Sequence, residues 1–160
     1  MRAADFLFEN RVGNKLDDPE EYAKALQGFQ LYFEPKRGEE ELSDYKSSFD
    51  YLNKNGGHIF RVIFADSPEE VRLNDVNVHW TYDESQISYY IDNLWTYYGK
   101  GKKHAFVIEA TVPPMSLSNW GVDLAGNPEE QEVNLVANQN QVTYKLFKWE
   151  RHTLIPVAQT

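Results

Sequence analysis

His58-Ile59-Phe60-Arg61-Val62-Ile63-Phe64-Ala65 is where the pattern of this chain changes. Before it, apolar residues recur at helical spacing; within it they run almost without a break. A short, nearly continuous apolar run of β-branched and aromatic residues is how a central strand reads when both its faces are buried. The segment therefore divides a helical first third from a strand-rich remainder.

Upstream, Asp18-Pro19-Glu20-Glu21 combines an N-cap, a first-turn proline and an acid three residues after the cap. Tyr22, Leu26, Phe29 and Phe33 follow at helical spacing, and Pro35 and Gly38 are expected to end that helix. A second helix carries Leu42, Tyr45, Phe49 and Leu52 on one face and stops at Gly56-Gly57.

Downstream, a second strand is expected within Val71 to Thr81. Asp83 caps a third helix, with Gln86 at the capping-box position, a stripe of Ile87, Ile91, Leu94 and Tyr98, and Gly99 at its end. In the next strand Phe106, Ile108, Ala110 and Val112 alternate with Ala105, Val107, Glu109 and Thr111, until Pro113-Pro114. Residues 115 to 129 read as a loop. Val133 to Ala137 and Val142 to Trp149 are expected to pair as a hairpin across Asn138-Gln139-Asn140. Helices first, then strands with one inserted helix, is an α+β pattern. The 160 residues suit a single domain, 1–160, with a helical part at 1–57 and a β-rich core at 58–149.

Composition narrows the function classes. With 41% hydrophobic and 14% aromatic residues, folding needs neither metal nor disulfide, and the absence of cysteine excludes thiolate ligands and cysteine nucleophiles. The four histidines are scattered without metal-ligand spacing, so no metal is expected. A net charge of −9 disfavours nucleic acid and anionic membranes as partners. Lys100-Gly101-Lys102-Lys103 and the pair Lys145 and Lys148 read as a solvated loop and an exposed strand face. No stretch is long and apolar enough to span a bilayer, and Met1-Arg2-Ala3-Ala4-Asp5-Phe6 lacks a signal peptide's apolar run. A soluble, cytoplasmic protein is expected, or one acting in a host-cell cytoplasm if it is an effector. Walker A, dinucleotide G-x-G-x-x-G and G-x-S-x-G motifs are all missing.

Three places could carry chemistry. Glu130 and Glu132, two residues apart where a turn enters a strand, would project from one face, and paired carboxylates can stabilise positive charge and move a proton. Arg61 is the one charge in its apolar run and has to find a carboxylate, a phosphate or water. An ion pair with Glu109 or an acid of 129–132 would serve, as would a cleft-facing clamp on a ligand phosphate or ribose. His79-Trp80-Thr81 closes the second strand ahead of a helix N-terminus, a common ligand position. A backbone-bonded His79 and a core-packed Trp80 are the structural alternatives.

The order of these features, Arg61, then His79-Trp80-Thr81, then Glu130-Gln131-Glu132, resembles that of the mono-ADP-ribosyltransferases of the arginine–serine–glutamate (cholera-toxin-like) type. The resemblance covers about residues 58 to 149. It implies an ADP-ribosyltransferase-like fold, with N-terminal helices on a split mixed or antiparallel β core, and NAD as cofactor. Arg61, His79, Trp80 and Thr81 would bind NAD, Glu132 would match the catalytic glutamate, and Glu130 the first acid of Glu-x-Glu. Glu130 favours a guanidinium acceptor, so the implied partner is a protein target modified on arginine. Toxin-like and phage-encoded members would both fit so small a chain. Where the family has Ser-Thr-Ser, this chain has His79-Trp80-Thr81, and Thr81 keeps one hydroxyl. That departure leaves two alternatives: a non-catalytic binding module of the same fold, or an NAD glycohydrolase with water as acceptor.

Overall fold

The computed structural model of the protein describes residues 12–73, 80–119, 132–136 and 141–158. Helix α1 (Pro19–Tyr32) begins where Asp18 accepts a hydrogen bond from the Glu20 amide at 2.8 Å. Its end is at Tyr32. Pro35 opens the next helix, α2 (Pro35–Asn55), instead of closing the first. Proline suits a first helical turn, where its missing N–H has no intrahelical partner to lose. Gly38, also expected as a stop, lies inside α2. A Cβ there would sit 2.6 Å from the carbonyl oxygen of Phe29, so the glycine lets two helix backbones touch. Gly56, at φ 76°, ends α2 in a left-handed conformation that glycine adopts without strain.

Strand β1 (Gly57–Ala65) is central, as its apolar run required. It is followed by β2 (Trp80–Thr81), helix α3 (Gln86–Tyr98), β3 (His104–Val112), β4 (Leu117–Ser118), β5 (Glu132–Leu135), β6 (Thr143–Glu150) and β7 (Thr153–Pro156). One seven-stranded sheet results, in the order β4-β5-β2-β1-β3-β6-β7, with every pairing of these strands antiparallel. The fold class is α+β.

One strand expectation holds in part, two need correction, and one strand was not foreseen. The second strand, expected within Val71 to Thr81, is present at Trp80–Thr81; residues 71–73 belong to no strand, and 74–79 lie outside the described residues. The stretch read as a loop from 115 contains β4, which pairs Leu117 with Leu135. β5 and β6 do not form a hairpin. β5 pairs with β2 and β4, β6 pairs with β3 and β7, and three strands stand between them. The hairpin partner of β6 is β7, unforeseen in the sequence, joined through Arg151 and His152 at φ 51° and 61°. Two consecutive positive φ values make the tight turn whose twist matches paired antiparallel strands.

Each sheet face meets different helices. On one face Ile59, Trp80, Phe106, Ile108, Ala110, Leu117, Val133 and Leu135 pack with Ala25 and Phe29 of α1 and Leu42, Tyr45 and Phe49 of α2. On the other, Phe60, Ala105 and Val107 pack with Ile87 and Ile91 of α3. The side chains of Leu94 and Tyr98 lie outside the described residues. Burying each large side chain contributes about 1.5–3 kcal/mol, so these two layers carry most of the stability. Among the described residues, no helix is long and apolar enough to cross a membrane.

Candidate functional site

Cross-strand register fixes which side chains share a face, because directly opposed residues of an antiparallel pair project the same way. Phe60 of β1 is opposite Thr81 of β2, and Thr81 is opposite Glu132 of β5. Two residues along β5 comes Asn134, opposite Ser118 of β4. Thr81, Glu132, Asn134 and Ser118 therefore share the sheet face away from α1 and α2. Their neighbours Trp80, Val133, Leu135 and Leu117 turn into the apolar core on the other side. Where α3 covers it the same face is apolar, at Phe60, Ala105 and Val107; Glu109 and Lys145 lie further along it, and it is polar along β2, β5 and β4.

All four polar side chains are deeply buried: Ser118 is 1% exposed, Thr81 2%, Asn134 5% and Glu132 8%. Buried polar groups cost free energy unless hydrogen bonds compensate, so a row of them demands a reason. Thr81 Oγ1 accepts a hydrogen bond from the Asp83 amide at 3.2 Å, which leaves its hydroxyl hydrogen to donate. Glu132 is held through its main chain, where Tyr45 of α2 donates its phenolic O–H to the Glu132 carbonyl at 2.6 Å. Burial, foremost, pushes the Tyr45 hydroxyl well above its ordinary pKa, while a hydrogen bond from Asn119 acts the other way. Asn119 in turn donates to Asn14 at 2.7 Å and accepts from the Lys15 amide at 2.8 Å. Residues before α1 thereby brace the β4–β5 edge.

The sequence-selected residues are distributed unevenly. Thr81 and Glu132 come together as cross-strand neighbours. Glu130 and His79 lie outside the described residues. Trp80 is fully buried on the opposite face, with its ring centroid 6.5 Å from that of Tyr144, so it is a core residue and not a stacking surface for a ligand. Arg61 is opposite Ile108 on β3, which puts it on the Ile59 and Ile63 side of β1. It is rooted on the face opposite Glu132, and the two do not belong to one row. Glu109 is opposite Phe60 on the other face, and its carboxylate lies 3.1 Å from His58 Nδ1. Hollows lined by described residues occur at Ser47, Ser48, Tyr51, Leu52 and Tyr82, and around Lys145–Phe147 with Pro156 and Val157, and neither is lined by Glu132.

Ser118 and Asn134 were missed in the sequence. Glu132-Val133-Asn134-Leu135 does alternate strictly between polar and apolar, which signals a polar face on β5. Ser118 had no such signal, because a two-residue strand is too short to show a period.

A carboxylate flanked by a threonine hydroxyl, an amide and a serine hydroxyl can accept hydrogen bonds from a polyhydroxylated ligand and stabilise an adjacent positive charge. Comparison with protein families, curated proteins and solved structures finds no match to this chain.

Proposed function

We propose that this protein is a mono-ADP-ribosyltransferase, which moves ADP-ribose from NAD to a target with arginine as the preferred acceptor. The observation that carries this reading is the direct opposition of Thr81 and Glu132 on adjacent strands, with Glu132 opening β5 inside a polar row. A hydroxyl beside the catalytic carboxylate is what the resemblance asks of the middle motif, and Thr81 supplies it. The three motif-bearing strands are also consecutive in the sheet, β5-β2-β1.

The reaction breaks the bond between nicotinamide and ribose. Positive charge develops on the ribose as an oxocarbenium-like transition state forms, and a fixed carboxylate stabilises it. Glu132 takes that role, accepting a hydrogen bond from the ribose 2′-hydroxyl. Thr81 orients the Glu132 carboxylate. Glu130 orients the incoming guanidinium and helps remove its proton. NAD supplies the ADP-ribosyl group, and nicotinamide leaves with the bonding electron pair. Arg61 has no part at the ribose in this scheme, since its strand position sends it to the other face.

The test is NAD consumption with nicotinamide release, for the wild type and Glu132→Ala, with and without agmatine as guanidino acceptor. Turnover that depends on Glu132 and rises with agmatine supports the transferase; turnover indifferent to agmatine supports an NAD glycohydrolase. Equal turnover in both proteins removes Glu132 from the mechanism.

The position of Arg61 favours a second reading, a non-catalytic module of the same fold that binds a protein partner. Intrinsic tryptophan fluorescence unchanged at millimolar NAD would select it.

A further inference from the structure

We propose that Ser118 and Asn134 form a neutral subsite, next to Glu132, that binds the vicinal hydroxyls of a sugar. The inference rests on Glu132 being the ribose-facing acid of the proposed reaction, and it assigns binding residues which that reading does not contain.

Ser118 Oγ is buried and has no hydrogen-bond partner among the described residues. An orphaned hydroxyl at that depth costs about 1–3 kcal/mol and calls for an explanation. Asn134 stands directly opposite, 5% exposed. Opposed Cβ atoms in such a pair lie about 4.5–5.5 Å apart, so the two side chains are neighbours on one face. Asn134 makes no side-chain hydrogen bond to a described residue, so its amide is also available there.

Chemistry and spacing select the ligand. A serine hydroxyl and an asparagine amide each offer donor and acceptor capacity, which matches a hydroxyl that must both give and take. None of the four side chains Thr81, Glu132, Asn134 and Ser118 is a cation, whereas a phosphate would call for charged or main-chain donors. Asn134 and Glu132 are about 7 Å apart along the strand, two steps of its rise. Hydrogen bonds of about 2.8 Å reaching in from both positions suit two adjacent hydroxyls on one ring. Glu132 takes one, and Ser118 with Asn134 takes the other.

The experiment is calorimetric titration with ADP-ribose, and with nicotinamide alone, alongside the thermal midpoint of the free protein. Wild type, Ser118→Ala, Asn134→Ala and Asn134→Ser are compared. Ser118→Ala is expected to leave the midpoint unchanged or raise it, since it removes an unpaired hydroxyl, while ADP-ribose binding weakens about five- to tenfold. Asn134→Ala is expected to weaken ADP-ribose to a similar degree, with Asn134→Ser partly restoring it and nicotinamide affinity unaffected. Wild-type ADP-ribose affinity in both Ser118→Ala and Asn134→Ala would overturn the subsite and leave the transferase reading standing. Selective loss of nicotinamide affinity would overturn it in favour of an amide-binding site. A folded wild type that binds neither NAD nor ADP-ribose would overturn both.

Discussion

Tyr45 Oη donates a 2.6 Å hydrogen bond to the main-chain carbonyl of Glu132, tying the middle of α2 to the first residue of β5. The contact joins residues 87 positions apart and is buried. It holds the backbone that carries the candidate catalytic acid without occupying the carboxylate. Helix position, strand entry and site geometry are thus linked through one phenol.

Tyr45→Phe keeps the ring and its stacking on Phe49, 6.2 Å away between centroids, but removes the hydrogen bond to the buried Glu132 carbonyl. The expected cost is about 1–3 kcal/mol, read as a lower denaturant midpoint at unchanged slope. An unchanged midpoint would mean that water replaces the phenol at no cost.

Alkaline pH should destabilise the protein. Tyr45 and Tyr82 both have raised pKa values, primarily through burial, and Lys46 is raised chiefly by its hydrogen bond to Asp17. Groups whose folded pKa lies above the unfolded value contribute stability that is whole below the unfolded pKa and is lost as pH climbs toward the folded one. Above about pH 10 the unfolded chain releases protons that the folded chain retains, so unfolding free energy falls. Unfolding free energies measured from pH 8 to 12 should decline, and less steeply in Tyr45→Phe. The same slope in both proteins would remove Tyr45 as a cause.

Removing one electrostatic contact to the transition state costs on the order of a hundredfold or more in rate, which is the loss expected for Glu132→Ala. Thr81→Ala should lose less, because the threonine acts through the glutamate. Glu130→Gln should spare plain NAD hydrolysis and depress transfer to agmatine. Parallel loss of both activities would contradict the division of labour between the two acids.

Gly38→Ala sets helix propensity against packing. Alanine gains about 1 kcal/mol in a helix interior. The added methyl would stand 2.6 Å from a main-chain oxygen of α1, which a backbone cannot avoid by rotating a side chain. Packing should win, with a net loss of about 1–3 kcal/mol in chemical unfolding. A stabilised variant would show that the α1–α2 crossing can open.

Trp80→Ala distinguishes a core role from a ligand-stacking role. Its full burial among Ile59, Val133 and their neighbours predicts a loss of about 3–5 kcal/mol, seen as a collapse of the thermal midpoint. A stable variant defective only in NAD binding would return Trp80 to the site.

The residues that announced themselves in the sequence did so through local chemistry. Asp18 and Pro19 marked the start of α1, and the apolar run at 58–65 marked a central strand. Alternation at 105–112 marked β3, and Glu132 marked the entry to β5. Propensity, capping and periodicity act within a few residues, so one chain segment suffices to read them.

Strand neighbours and faces were decided by tertiary structure alone. β5 and β6 are close in the chain, yet Trp80, Phe60 and Ile108 belong to strands that lie between them. Backbone groups pair equally well with any extended partner, so sequence proximity could not choose one. A shift of one residue in register turns every side chain over. That is why Thr81 meets Glu132 while Trp80 and Arg61, each one position away from an opposed residue, point to the other side. The unpaired hydroxyl of Ser118 belongs to the same class of fact, since only the assembled sheet shows that nothing described reaches it.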